Sequence, residues 1–125
     1  MKFEINAKLP SLNDYINACR HNRYAGAKFK KDIESLIGFY ITQAVKNGEI
    51  KPIQGSFILE FEWYEKYKRR DPDNVATAKK YILDALQTYG IIENDSPKYV
   101  KGFTDSFVYG APSDKVIITI WEVVA

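Results

Sequence analysis

The sequence predicts an α+β domain, because the spacing of its hydrophobic residues changes along the chain. Strand-like alternation of apolar and polar residues occurs near the N-terminus, in 57–64 and in two segments after residue 98. Helix-like spacing fills the two intervals between these strands, 31–46 and 73–89. The order β-α-β-α-β-β predicts a small mixed or antiparallel sheet packed against two main helices.

Length and composition bound the class of protein. A chain of 125 residues, 46% of them hydrophobic, can bury one core, and no linker divides it, so we expect a single domain over 1–125. Its net charge of +2 is too small to identify a nucleic-acid binder by total charge. Cys19, the single cysteine, excludes an intrachain disulfide. Because we see no signal peptide and no transmembrane segment, we expect a cytoplasmic protein without a membrane partner.

The first half of the chain is predicted to contain a strand, a loop and a helix. Residues 3–9 alternate between apolar and polar side chains until Pro10 ends the strand. The segment 11–30 has weak periodicity, so we expect a loop with short helical pieces. In 31–46 the apolar side chains recur every three or four residues, and Asn47-Gly48 supplies the helix stop.

The second half begins with the clearest predicted strand, 57–64. In 73–89 the apolar side chains fall within about 100° on one side of a helix, with the polar side chains opposite. Gly90 is predicted to end this helix. Two further strands, 99–109 and 116–123, are predicted to pair with each other across the turn between them, and the second is apolar enough for a central strand.

Candidate functional residues are concentrated between Lys68 and Asp95. Asp71 and Asp73 flank one proline, which fixes its own φ and favours an extended residue before it, so both carboxylates can leave the chain in one direction. Carboxylates suit a hard divalent cation, and a basic run beside them indicates a polyanion as substrate. That run is Lys66, Lys68, Arg69 and Arg70. The pattern predicts a nuclease.

The two aspartates also have an ordinary structural interpretation, as a turn residue and a helix N-cap. A calcium-binding EF-hand loop is excluded, because Ala76 and Ile82 stand where it requires glycine and glutamate. A third acid, Asp95, favours a metal site over capping. Mg²⁺ needs only a few carboxylates besides water and phosphate, so Asp71, Asp73 and Asp95 suffice chemically; we expect Mn²⁺ to substitute and no small-molecule cofactor.

Basic side chains complete the predicted site. The Lys80 ammonium lies on the polar face of the 73–89 helix, where it can stabilise transition-state charge or simply face solvent. Lys79 is its less well-aimed neighbour and is assigned to DNA binding. For Asp84 the i, i+4 spacing favours an ion pair with Lys80 over metal binding. The other basic residues expected to contact phosphates are Arg20, Arg23, Lys28, Lys30, Lys68, Arg69 and Arg70.

The run Arg70-Asp71-Pro72-Asp73-Asn74, followed by Leu83-Asp84-Ala85-Leu86, Gly90 and Asn94-Asp95, resembles the RusA family of Holliday junction resolvases, particularly its prophage-borne members. The match is dense from Lys68 to Asp95 and extends loosely upstream to Asn13, Arg20, Asn22, Arg23 and Lys28. The resemblance implies a RusA-like fold and places the catalytic Mg²⁺ on Asp71, Asp73 and Asp95. It also implies that Asn13 lies at the DNA and that a homodimer nicks two opposed strands of a four-way junction.

The chain departs from the family at Thr77, where some members carry a functional lysine. Lys80, one turn further on, is the candidate for that role. A second difficulty is how the chain brings Asp95 back to Asp71 and Asp73. The 73–89 helix would be ~24 Å long, whereas the six residues that follow it span at most ~20 Å. An earlier helix end, a sharp reversal at Gly90 or an Asp95 supplied by a partner subunit would resolve it, and we expect the earlier end.

Two other functions stay open at this point. The first is a non-catalytic nucleic-acid-binding module, which would keep the basic segments and use the aspartates only for turns and capping. The second is a metal-dependent nuclease that acts on flaps or single strands instead of four-way junctions.

Overall fold

The computed structural model of the protein describes residues 1–123. Within them it contains four strands, β1 Lys2–Ile5, β2 Phe57–Glu65, β3 Val100–Tyr109 and β4 Lys115–Glu122. Its four helices are α1 Leu12–His21, α2 Arg23–Lys46, α3 Pro72–Ala76 and α4 Lys79–Thr88. The predicted α+β class is confirmed. None of these helices is long and apolar enough to cross a membrane.

The strands form one mixed sheet in the order β1-β4-β2-β3. β4 is antiparallel to β1 and β2, whereas β2 and β3 are parallel. The predicted pairing of the last two strands with each other is therefore wrong, because β3 and β4 lie on opposite sides of β2. The predicted central position of the last strand is confirmed, since every side chain from Val116 to Ile120 is buried.

The hydrophobic core lies between one face of the sheet and the helices. Alternate side chains of β2 are buried, as the strand-like periodicity predicts. They pack in one cluster with Ile37 and Ile41 of α2 and with Ile82 and Leu86 of α4. This packing fixes α4 against the sheet, and it thereby fixes the segment between β2 and α4 that carries the candidate site.

The segment 11–30, predicted as a loop with short helical pieces, forms all of α1 and the first turns of α2. Hydrogen bonds at the helix starts explain this. Ser11 and Asp14 form a reciprocal capping box, and the Asn22 side chain accepts a hydrogen bond from Ala25 N at 2.7 Å. The apolar side chains of α1 do have helical spacing although none is buried, so the weak periodicity expected of this segment is wrong for 12–21.

The single helix predicted over 73–89 is divided into α3 and α4. The division falls at Thr77, whose hydroxyl donates to Asn74 O at 2.6 Å and accepts from Leu12 N at 2.9 Å. A threonine hydroxyl bonded back to the preceding turn competes with the regular helical pattern and bends the chain. A contact from a distant segment, α1, therefore interrupts a helix that its local pattern predicts to be continuous.

The C-terminal end of α4 is close to the predicted one, so the expected earlier helix end is wrong. The chain reverses sharply at Gly90, whose φ of 75° favours glycine. Ile91 N and Ile92 N then donate to Leu86 O at 2.9 and 3.3 Å, which closes the reversal. The chain runs back along α4 from there, and Asp95 comes beside the first turn of that helix.

Candidate metal and nucleic-acid site

The candidate site begins where the parallel strands β2 and β3 end side by side. Glu65 and Tyr109, the last residues of these strands, are opposite each other in the register. Glu65 is only 5% exposed, which is unusual for a carboxylate and requires a partner. That partner is Arg70, which reaches back from the end of the loop that follows β2.

Arg70 is bound to the protein through all three guanidinium nitrogens. Its Nε and Nη2 donate to the two carboxylate oxygens of Glu65 at 2.8 and 3.0 Å, and its Nη1 donates to Leu9 O at 2.9 Å. Its own carbonyl accepts a hydrogen bond from Tyr109 Oη at 2.6 Å. The predicted DNA contact of Arg70 stays a prediction, but in this structure the side chain braces the residue directly before Asp71.

Asp71 and Asp73 are exposed at the start of α3. Asp71 has the backbone conformation of an N-cap, with φ −70° and ψ 153°, yet its side chain makes no capping hydrogen bond. Asp73 lies inside the first helical turn and is not the cap. Across residues 1–123, neither carboxylate takes part in an ion pair. Neither side chain therefore caps the helix, and capping does not explain the two aspartates.

Tyr109 holds the residue before Asp71 through its hydrogen bond to Arg70 O. Burial raises the pKa of its phenol, and the charges of Glu65, Asp71 and Asp73 raise that pKa further, while Arg70 opposes them. The phenol therefore stays protonated at neutral pH and keeps its hydrogen bond to the backbone.

Lys80 lies between two acids on the exposed side of α4. Its Nζ is 3.0 Å from an oxygen of Asp84 and 3.3 Å from an oxygen of Asp95. The Asp84 hydrogen bond is the largest cause that raises the pKa of Lys80, and Asp95 adds to it. The expected ion pair between Lys80 and Asp84 is thus confirmed, and the structure joins Asp95 to the same cation.

The predicted magnesium ligands are only partly gathered. Within residues 1–123 the structure has no group of three histidine, cysteine, aspartate or glutamate side chains placed to hold a metal ion. Asp71 and Asp73 supply the hard oxygen donors that Mg²⁺ takes, and both are unpaired. Asp95 would have to give up its ion pair with Lys80 in order to bind the metal ion. The site formed by Asp71, Asp73 and Asp95 therefore stays a prediction.

Lys79 points to a different partner from Lys80. Its Nζ donates to Asp105 at 2.7 Å, and the second oxygen of Asp105 accepts from Trp63 Nε1 at 2.8 Å. The ammonium also lies 5.2 and 4.6 Å from the ring centroids of Phe61 and Phe103. The role predicted for Lys79 in DNA binding stays untested, and the structure uses this side chain to join α4 to β3.

The start of α1 lies against the aspartate segment. Leu12 N donates to Thr77, and Asn13 Nδ2 donates to Asn74 Oδ1 at 3.3 Å. Asn13 is thus beside the helix that carries Asp73. The remaining cations assigned to DNA are exposed on α1, on α2 and in the loop before α3: Arg20, Arg23, Lys28, Lys30, Lys68 and Arg69. Of these, Lys28 is paired with Asp32 at 2.7 Å on the helix surface.

Sequence reasoning missed Glu65, Tyr109 and Asp105. Glu65 is the last residue of β2 and belongs to the alternate set of side chains that is buried. Its place in that alternation was the one signal that could have identified it as a buried acid. Tyr109 and Asp105 have no comparable signal, because their partners lie far away in the chain.

Comparison with known proteins adds no assignment. A scan of protein-family models finds no match to the chain. A search of curated proteins finds no significant match.

Proposed function

We propose that the protein is a Mg²⁺-dependent endonuclease that resolves four-way DNA junctions by paired nicks, as a homodimer, in DNA recombination and repair. The observation that supports this most is the state of Asp71 and Asp73. They are like charges in one short turn, exposed, without a cation and without a capping role. A divalent cation with a bound phosphate is the partner that offsets their repulsion.

The chain would divide the chemistry among a few residues. Asp71, Asp73 and Asp95 would hold the ion, which when bound supplies an activated water and stabilises the leaving oxygen. Arg70 and Tyr109 hold the backbone directly before Asp71. Lys80, already directed at Asp95, would stabilise negative charge on the phosphate once Asp95 is engaged elsewhere.

The surroundings of the aspartates support nucleic acid as the substrate. The start of α1 contacts α3 through Leu12 and Asn13, and the loop with Lys68 and Arg69 leads directly into α3. Exposed cations directly before a carboxylate pair fit a polyanion that crosses the site. The RusA resemblance supports four-way junctions as the substrate and a homodimer with one site per cleaved strand.

The experiment compares strand cleavage by wild type and Asp73→Asn. A four-way junction is incubated with each protein in Mg²⁺ and in EDTA, with Glu49→Gln, a change of an exposed acid three residues after α2, as the charge-matched control. We expect paired nicks from wild type and the control in Mg²⁺ alone. Asp73→Asn should bind the junction yet cut it more than about 100-fold more slowly, beyond what outer-shell changes at metal sites usually cost.

The alternative of a non-catalytic binding module is favoured by one observation, the Lys80 ammonium that already neutralises Asp95. Binding without cleavage in Mg²⁺ and in Mn²⁺ would support that alternative. Flap and single-stranded substrates in the same assay separate the junction resolvase from a nuclease of broader specificity, because only the resolvase prefers the four-way junction.

A further inference from the structure

The loop between β2 and α3 is held firmly at both ends. At its start, Lys66 N donates to Asp114 Oδ1 at 2.8 Å. At its end, Arg70 is bound by Glu65 and by Tyr109. The three residues between these anchors, 67–69, are exposed. The anchors therefore present a short tip to solvent in a defined position, close to Asp71 along the chain.

An aromatic ring surrounded by cations forms this tip. Tyr67 is 50% exposed. The Arg69 guanidinium carbon lies 4.9 Å from the centroid of its ring, and Lys66 Nζ lies 5.4 Å from it. Lys68 adds a further cation, and the tip has no acid. Cations that neutralise phosphates beside a ring that stacks on bases are the components of single-strand binding sites.

The Tyr67 ring is more exposed than several other tyrosines. Tyr15, Tyr40 and Tyr99 are partly buried against the hydrophobic core, whereas half of the Tyr67 surface is exposed. A half-exposed aromatic ring at the end of an anchored loop contributes little to folding. Arg69 and Lys66 lie over the ring, so a flat ligand would stack on it as these cations turn to neighbouring phosphates.

We infer that Tyr67 is a binding residue for an unpaired DNA base, on which its ring stacks while the neighbouring cations hold the flanking phosphates. Branched DNA as the source of that base rests on the proposed function. Bases inside a duplex are covered by their neighbours, whereas a base at a branch point or in a single strand offers a free face. The stacked base would lie next to the carboxylates at the start of α3.

The test measures binding in EDTA, so that cleavage plays no part. The full-length protein is titrated against a labelled four-way junction, a single-stranded oligothymidine and a linear duplex. Tyr67→Leu removes the aromatic face, Tyr67→Phe keeps it, and Phe39→Leu, at a 56% exposed ring on α2, is the matched control. Thermal unfolding of each variant checks that the fold is unchanged, as expected for an exposed loop position.

We expect Tyr67→Leu to bind oligothymidine about ten-fold more weakly, in line with the loss of one stacked base. Its binding to the junction should fall as well, while binding to the duplex stays within about two-fold of wild type, because a paired duplex offers no free base. Tyr67→Phe and Phe39→Leu should bind all three DNAs like wild type. 2-Aminopurine at the branch point should change fluorescence with wild type and Tyr67→Phe but not with Tyr67→Leu.

Two results would overturn the inference. One is an equal loss on all three DNAs, which would show that the ring only positions Arg69 and Lys66. The other is unchanged binding of oligothymidine by Tyr67→Leu. Either result, together with wild-type cleavage of junctions in Mg²⁺, would leave the proposed function intact. A wild type that never cuts would contradict the proposed function without altering the binding comparison.

Discussion

Replacement of Arg70 by methionine tests whether this residue braces the site or contacts DNA. Methionine retains much of the length of the side chain but removes the charge and every donor. Glu65 would then remain as a buried carboxylate without its cation, and Leu9 O would lose the hydrogen bond from Arg70. The expected consequence is a loss of folding stability, with misplacement of the neighbouring Asp71.

The size of the effect follows from burial. The side chains of Glu65 and Arg70 are 6% and 17% exposed, so solvent screens the pair only weakly. Removing one partner of a buried ion pair costs about 3–5 kcal/mol, because the other charge is left unpaired. Two charge-assisted hydrogen bonds at about 1.5–3 kcal/mol each give a similar sum. Against a total of about 5–15 kcal/mol for a typical domain, the loss is large.

Urea unfolding followed by tryptophan fluorescence measures this directly, because Trp63 is 3% exposed in the native state. The double variant Glu65→Leu/Arg70→Met removes both charges and should recover most of the lost free energy. A loss below about 1 kcal/mol in Arg70→Met would refute the bracing role, since breaking a pair buried this deeply costs more. If junction binding nevertheless fell sharply in that variant, the guanidinium would have to contact phosphate.

Three further predictions concern stability and charge. A methyl group at Gly38 would overlap the Tyr89 ring, so Gly38→Ala should be neutral or destabilising in wild type. In a Tyr89→Ala background the ring is gone and only helix propensity counts, so the same change should stabilise the fold by about 0.5–1 kcal/mol. Urea unfolding of wild type, both single variants and the double variant measures this difference. Asp73→Asn should shift the unfolding free energy by less than about 1 kcal/mol, since this exposed carboxylate has no partner beyond the dipole of a short helix, and a larger loss would contradict its unpaired state. The raised pKa of Lys80 means that its contribution to stability is complete below the ordinary lysine value of about 10.4 and is lost as pH rises through the higher folded value. An NMR titration of the lysine side chain should find that value lowered by Asp84→Asn, and an unchanged value would contradict the assigned cause.

Elements with a strong local pattern were predicted well from the sequence. The alternation in β2 and the apolar run of β4 locate both strands, and Asn47-Gly48 marks the end of α2. The partner of each strand was not predictable in the same way. β3 follows a helical crossover and pairs in parallel with β2, and the short turn after it led to the expectation of a hairpin that does not form.

Long-range contacts explain the other differences. The bend at Thr77 depends on Leu12, and nothing in the periodicity of 73–89 indicates it. α1 is a different case, because its apolar side chains have helical spacing and Ser11 and Asp14 cap its start, so local signals for this helix were present. Local capping pairs would have been the better signal for this segment.

The candidate site likewise combines residues that the local sequence identifies with residues that only the fold brings together. Asp71 and Asp73 were identified from adjacent residues, and the structure leaves both exposed and unpaired. The side chains that position them, Glu65 and Tyr109, come from strand ends that only the fold brings together. The approach of Asp95 to Lys80 depends likewise on the reversal at Gly90.

The most direct measurement of the central claim is strand cleavage of a four-way junction with each strand labelled in turn. Wild type in Mg²⁺ should nick two opposed strands, and the same reaction in EDTA should leave the junction intact. Asp73→Asn should bind the junction without nicking it. A junction that is bound by wild type but stays uncut in both Mg²⁺ and Mn²⁺, or one that Asp73→Asn cuts as fast as wild type, would contradict the proposal.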